Sequence, residues 1–389
     1  MNNKFETFFK SFTEADEQLD FRMAHEVVGQ KVDAISTGSY VLDDALSCGG
    51  VPCGRIIQYY GPAGSGKTLM AMLTMLKAQK KDPTAYQMFI DAEQTFSTNW
   101  ARKLGLNVAK IILIDGDMAV NGRKCFEMLL GTPKEDARTH EYKGKSTEGF
   151  LDKIINKEFN VNLIVLDSLG SIIPPGEDVS AVGKMNMSLL ARFLTTTFRK
   201  LSLEVNKANV PFIVINHKRD SFDVYKGDHT FSGGNTYNHF LSANIYFEAI
   251  QRKDAMIVDE KEQKIGHGMR ASIEKSKFGP WPRRCEFKVN FDVGVVDQHE
   301  EVAQLALDYN VIAKPTNVSY TYRDDKWVGL NKLHEAIIAS EDLKNELIGK
   351  IEQAREDKRT HALAEQEQLS ASVEEEPIEN GKSKKSKKI

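Results

Sequence analysis

GRIIQYYGPAGSGKTLMAML, residues 54–73, runs without a break from an apolar stretch through a glycine-rich octapeptide into the start of a helix. The run to Tyr60 is β-branched and aromatic, the composition of a buried strand. Lys67 to Gln79 carries apolar residues at helical spacing. Between them, Gly61-Pro62-Ala63-Gly64-Ser65-Gly66-Lys67-Thr68 fits G-x-x-x-x-G-K-[ST] in the strand-then-helix setting the motif requires. The glycines let successive backbone N–H groups turn inward around phosphate oxygens. The helix N-terminus adds partial positive charge. In such a loop Lys67 reaches the β- and γ-phosphates and the Thr68 hydroxyl binds Mg²⁺. The stretch predicts an ATP site with Mg²⁺, set in an α/β fold.

Outward from this loop, strands and helices alternate. AYQMFIDAE, AKIILID, NVNLIVLDS and VPFIVINH read as further buried strands. Helices separate them, from Thr98 to Leu104 and from Met185 to Lys207. Short apolar strands divided by helices predict a mostly parallel sheet covered on both faces. The later stretches NIYFEAI, GMRASIEKS and RRCEFKVNF alternate apolar and polar residues and read as antiparallel additions at one edge. Two strand ends supply carboxylates at the end of a parallel sheet where ligands gather. LIVLDS delivers Asp167 toward Mg²⁺. FIDAE offers Asp91 and Glu93, and Glu93, further past the strand, is the candidate for orienting the attacking water.

The remaining organisation is read from composition. Phe5, Phe8, Phe9 and Phe12 make one stripe of an N-terminal helical segment over 1–35, which packs either on the chain's own body or on a partner. An ATPase core follows over 36–296, interrupted by a polar, periodless surface insertion between Gly131 and Gly149. A small C-terminal domain spans 297–354, and a charged tail, 355–389, lacks the apolar residues to order itself. No apolar run approaches the length of a membrane span and the start lacks the pattern of a leader, so the expected location is the cytoplasm. Cys48, Cys53, Cys125 and Cys285 are too scattered for a disulfide framework and read as reduced thiols. A net charge of −3 neither demands nor excludes nucleic acid, because local patches decide binding.

The order and spacing of these motifs resemble the bacterial recombinase family RecA and its phage relatives of the UvsX type. ISTGSYVLDDALSCGGVPCGRI (35–56), FIDAE with ARKLG (89–105), LIVLDSLGSIIP (163–174), LLARFLTTTFRKL (189–201) and FSGGN (231–235) follow in family order. The resemblance implies a RecA-type core and an ATP-dependent recombinase that forms filaments on single-stranded DNA and pairs it with duplex. It gives Glu93 the role of activating water and Trp100 that of stacking on adenine. It places DNA at two loops, Pro174 to Asn186 and Arg219 to Gly234, with Met187, Arg192, Arg199, Gly233 and Gly234 as contacts. It makes Lys275 and Lys277 the pair that reaches the neighbouring subunit's γ-phosphate. His217 stands where the family senses that phosphate with glutamine, and His239 stands at a usually aromatic interface position. Single-strand-binding and loader proteins are further candidate partners. The alternatives are a hexameric helicase of the same fold, for which the 35 residues before the core leave little room, and a non-catalytic mediator, which the intact Lys67, Thr68, Glu93 and Asp167 oppose.

Overall fold

The structure is a computed structural model that describes residues 32–135, 142–177, 187–219, 230–231, 234, 236–252 and 255–374. The N-terminal phenylalanine stripe, Gly233 and residues 375–389 therefore lie outside the described residues. So does much of the two expected DNA loops.

The stretch that opens the sequence forms β1 (Ile56–Gly61) and helix α1 (Lys67–Lys81). Next come β2 (Tyr86–Asp91), α2 (Thr98–Lys103), β3 (Ile111–Ile114), α3 (Gly122–Leu130), β4 (Val161–Asp167), the long α4 (Met187–Ala208) and β5 (Phe212–Arg219). A 3₁₀ turn, Thr236–Phe240, leads into β6 (Ala243–Ala249). Strands β7 (Lys264–Ser276), β8 (Arg283–Asn290) and β9 (Gly294–Val296) complete the sheet. Its main path runs β9-β8-β7-β6-β1-β5-β4-β2-β3.

Six neighbouring strands, β6 to β3 along this path, are parallel, and β7, β8 and β9 extend them antiparallel. The mixed α/β class is as the sequence predicts, with one correction. The NIYFEA strand, β6, pairs parallel to β1, with Ala243 opposite Ile57 and Tyr246 opposite Tyr60, so it belongs to the parallel body. Its first five residues are buried, as a strand covered on both faces must be. Helix α1 fills one face of the sheet in a cluster with Ile57, Tyr59, Ile213 and Ile215. Helices α3 and α4 fill the other in a cluster with Ile56, Ile164, Phe212 and Val214.

The described residues of the polar insertion form a two-stranded antiparallel ribbon, Thr132–Glu135 with Tyr142–Thr147. Hydroxyl contacts of Thr132 with Ser146 and Thr147 join its strands, which a periodicity search for apolar residues does not register.

Downstream, α5 (Gln298–Asp308), a small three-stranded sheet over 313–328, α6 (Leu330–Ala339) and α7 (Glu341–Glu374) form the C-terminal unit. Val302, Leu305, Leu333, Ile337, Leu347 and Ile351 join the same apolar cluster as α1, so the core is continuous across residue 297. Helix α7 runs through Arg355 to Glu374, into the segment expected as a charged tail. Its sequence is rich in Ala, Glu, Gln, Lys and Arg, which favour helix even where apolar burial is slight. Arg355 pins it by an ion pair to the buried Asp44 at 3.0 Å.

Candidate functional site

The P-loop is shaped by close backbone approach. A Cβ on Gly61 would stand 2.1 Å from the Phe247 carbonyl oxygen, and Gly61 has φ +151°, a conformation open to glycine alone. Gly66, at φ +86°, turns the chain into α1. Lys67 is 5% exposed, and its ammonium donates to the carbonyls of Gly61 at 3.1 Å and Pro62 at 2.6 Å. Burial pushes its pKa down, against the pull of Asp167 and Glu93. These carbonyls hold the ammonium at the mouth of the loop, from which it can turn to phosphate.

Strand register brings the other candidates to the same sheet edge. Asp91 pairs with Asp167 across β2 and β4, and Gly61 pairs with His217 across β1 and β5. Thr68 Oγ1 donates to Asp167 Oδ2 at 2.6 Å. Burial raises the Asp167 carboxyl to about 6, with the nearby negative charges adding, while the Thr68 hydrogen bond opposes. A hydroxyl and a carboxylate in contact, beside a phosphate cradle, form an oxygen donor pair suited to Mg²⁺. The site thus fits that ion on the chemistry of its donors.

The two carboxylates of FIDAE divide the work. Asp91 caps its own turn, accepting from the backbone of Thr95 at 3.1 Å and Phe96 at 2.8 Å. Glu93 instead faces the site, where its Oε1 accepts from Ser168 Oγ and from His217 Nε2, each at 2.5 Å. The His217 hydrogen bond holds the Glu93 carboxyl below its ordinary range, outweighing partial burial, and Ser168 assists. Lys67, Thr68, Asp167, Glu93 and His217 therefore converge. Ser168 went unnoticed in the sequence, although it directly follows Asp167 at a strand end.

The other candidates lie elsewhere. Trp100 on α2 is half-buried and donates from Nε1 to the Phe291 carbonyl at 2.5 Å, next to the Lys103–Asp292 ion pair. Arg192 and Arg199 are exposed on α4, and among the described residues neither guanidinium has an ion-pair partner. Gly234, at φ +73°, lies against the same helix, since a Cβ there would meet Ala191 Cβ at 3.2 Å. The side chain of Met187, the first residue of α4, lies outside the described residues, as Gly233 does.

Lys275 and Lys277 sit toward the opposite end of the sheet from their own P-loop. Ser276 pairs with Ala243, which pairs with Ile57, four residues before Gly61. At ~3.3 Å per residue that is about 13 Å back along the strand. Their ammonium groups donate to carbonyls of the 3₁₀ turn, Lys275 to Asn238 and Lys277 to His239 at 3.3 Å. Burial and the neighbouring Lys277 push the Lys275 pKa down to about 8.

All four cysteines are free, and no helix among the described residues is long and apolar enough to cross a membrane.

Comparison with known proteins agrees with this geometry. The sequence model described as the RecA N-terminal domain matches residues 18–136 and 141–296. Protein RecA of Leptospira meyeri is 29% identical over 376 residues, covering 94% of this chain and 84% of that one. Protein RecA of Dichelobacter nodosus is 30% identical over 319 residues, 81% of each chain. Protein RecA of Legionella pneumophila is 28% identical over 306 residues, 78% of each.

Proposed function

Since the chain belongs to the RecA family, we propose that it is an ATP-dependent recombinase that assembles on single-stranded DNA, pairs it with homologous duplex and exchanges strands. The observation that carries this reading is the convergence of Lys67, Thr68, Asp167, Glu93 and His217 at one end of four adjacent parallel strands.

Each residue has work that its position supports. The P-loop amides and Lys67 bind and neutralise the triphosphate. Thr68 and Asp167 would hold Mg²⁺, which when bound offsets charge on the phosphate oxygens. Glu93, ionised and fixed by Ser168 and His217, orients water for attack on the γ-phosphate. His217 contacts Glu93 near the end of the strand that leads into 220–235, so it would report on the nucleotide to the second DNA loop. Trp100 would accept adenine on its ring face while its N–H remains on Phe291. Arg192 and Arg199, seven apart on one helix face and exposed, would meet DNA phosphates, with Gly234 beside them.

Lys275 and Lys277 point away from their own P-loop, so in a head-to-tail filament they would complete the neighbour's site, where ammonium groups offset charge developing in phosphoryl transfer. The test is ATP hydrolysis at low salt, with and without single-stranded DNA. Stimulation by DNA supports the reading, and its complete absence overturns it.

A further inference from the structure

Beneath the 3₁₀ turn the interior of the sheet is polar. Gln58 on β1, Asn216 on β5 and Tyr237 in the turn are each 0% exposed. Tyr237 donates its hydroxyl proton to Gln58 Oε1 at 2.5 Å, and Asn216 Nδ2 donates to the Tyr237 hydroxyl at 2.8 Å. Asn216 Oδ1 in turn accepts from the backbone N–H of His217 at 2.8 Å. The tyrosine ring packs on Phe198 of α4, with centroids 5.2 Å apart.

The network is more polar than the core around it needs, since among the described residues Gln58 Nε2 has no partner. What the network does is join three functional segments. At one end is His217, in contact with Glu93. At the other is the turn whose Asn238 and His239 carbonyls hold Lys275 and Lys277. The chain between β5 and the turn is the second loop expected to hold DNA.

We propose that Tyr237 is a positioning residue that couples a protomer's own nucleotide site to the lysine pair it presents to its neighbour. The proposal rests on the reading that Lys275 and Lys277 act in the adjacent subunit. When His217 changes partner from Glu93 to a phosphate, Asn216 moves with it. The hydroxyl contact carries that movement to the turn, and the turn's carbonyls then redirect the two ammonium groups. The tyrosine side chain is a rigid lever packed on Phe198, so a pull on its hydroxyl is passed to the backbone of the turn.

The test compares full-length wild type, Tyr237→Phe and Lys275→Ala in ATP hydrolysis on single-stranded DNA, with thermal melts and binding of a fluorescent ATP analogue without DNA. Removing the hydroxyl, and with it the two hydrogen bonds to Gln58 and Asn216, should lower the DNA-stimulated kcat of Tyr237→Phe about fivefold. Coupling between neighbouring sites predicts a sigmoid dependence of the wild-type rate on ATP, which Tyr237→Phe should lose. The buried Gln58 and Asn216 atoms that lose the hydroxyl should lower the melting temperature, but analogue binding without DNA should stay close to wild type, which damage to the nucleotide site itself would not give. Asn216→Leu removes the contact from the other side and should reproduce the effect; it decides the matter if Tyr237→Phe fails to fold. Wild-type rate and sigmoidicity in these variants, while Lys275→Ala abolishes stimulation, overturns the coupling and leaves the lysine reading standing. Full stimulation in Lys275→Ala overturns the lysine reading, and the coupling with it.

Discussion

Replacing Glu93 with glutamine isolates the charge of the group that orients water. The glutamine carbonyl can still accept from Ser168 and His217, both of which meet Glu93 through Oε1 alone, so the side chain should stay in place. What disappears is the carboxylate's ability to polarise water. General-base contributions run to about 10²–10⁴-fold, or roughly 3–5 kcal/mol at 1.36 kcal/mol per decade. Binding should not suffer, since removing a negative charge beside the triphosphate favours the nucleotide. Steady-state hydrolysis on single-stranded DNA should therefore show kcat down by at least about a hundredfold, with affinity for an ATP analogue equal or higher. The wild-type pH profile is a second check. The His217 hydrogen bond holds the Glu93 carboxyl below its ordinary range, so Glu93 is ionised throughout pH 6–8 and contributes no acid limb there. A Glu93→Gln protein that hydrolyses ATP within about threefold of wild type would refute the assignment.

Three further outcomes follow from buried contacts. Gly61→Ala sets a methyl 2.1 Å from a backbone carbonyl at a φ alanine avoids, and should cost about 3 kcal/mol or more in a denaturant melt; an unchanged melt contradicts the packing of β1 on β6. Burial raises the Glu301 carboxyl to about 7, above its unfolded value, so its contribution to stability is full below about pH 4.5 and is lost as pH rises through about 7. The loss is of order 3 kcal/mol, and Glu301→Gln, which keeps the Ser39 and Val41 hydrogen bonds, should melt higher than wild type at pH 8 but not at pH 4.5. Arg355→Ala should lower stability by about 2 kcal/mol, because Asp44 keeps Arg283 and Tyr309 when it loses this partner; no loss in a melt would mean that α7 is not anchored there.

The local chemistry of the nucleotide site was legible because each part is a short stretch with a fixed physical job. A glycine loop between strand and helix, and acids at the ends of apolar strands, need no tertiary information to be recognised. The parallel pairing of β6 was not legible. Asn244 and Tyr246 interrupt its apolar residues and imitate a strand with one wet face, yet both are buried. Asn244 donates to Asn238 at 2.8 Å, and Tyr246 packs on Tyr60. The helix beyond Arg355 escaped notice because apolar residues thin out there, and the ion pair that holds Arg355 is with Asp44, 311 residues away in sequence. Nothing in the local sequence singles out Tyr237. Its meaning depends on Gln58 and Asn216, which only the sheet register brings beneath it.

The central claim is that the catalytic site is shared between adjacent protomers, and a mixing experiment tests it most directly. Glu93→Gln retains the lysine pair but cannot use its own site, while Lys275→Ala retains Glu93 but cannot serve its neighbour. Each alone should be nearly inactive on single-stranded DNA. In a random 1:1 filament half the sites keep Glu93 and half of those adjoin a subunit with both lysines, so activity should recover to about a quarter of wild type. If the mixture hydrolyses ATP no faster than the mean of its two components, the lysines do not act across the interface, and the account of a site completed by the neighbouring subunit is wrong.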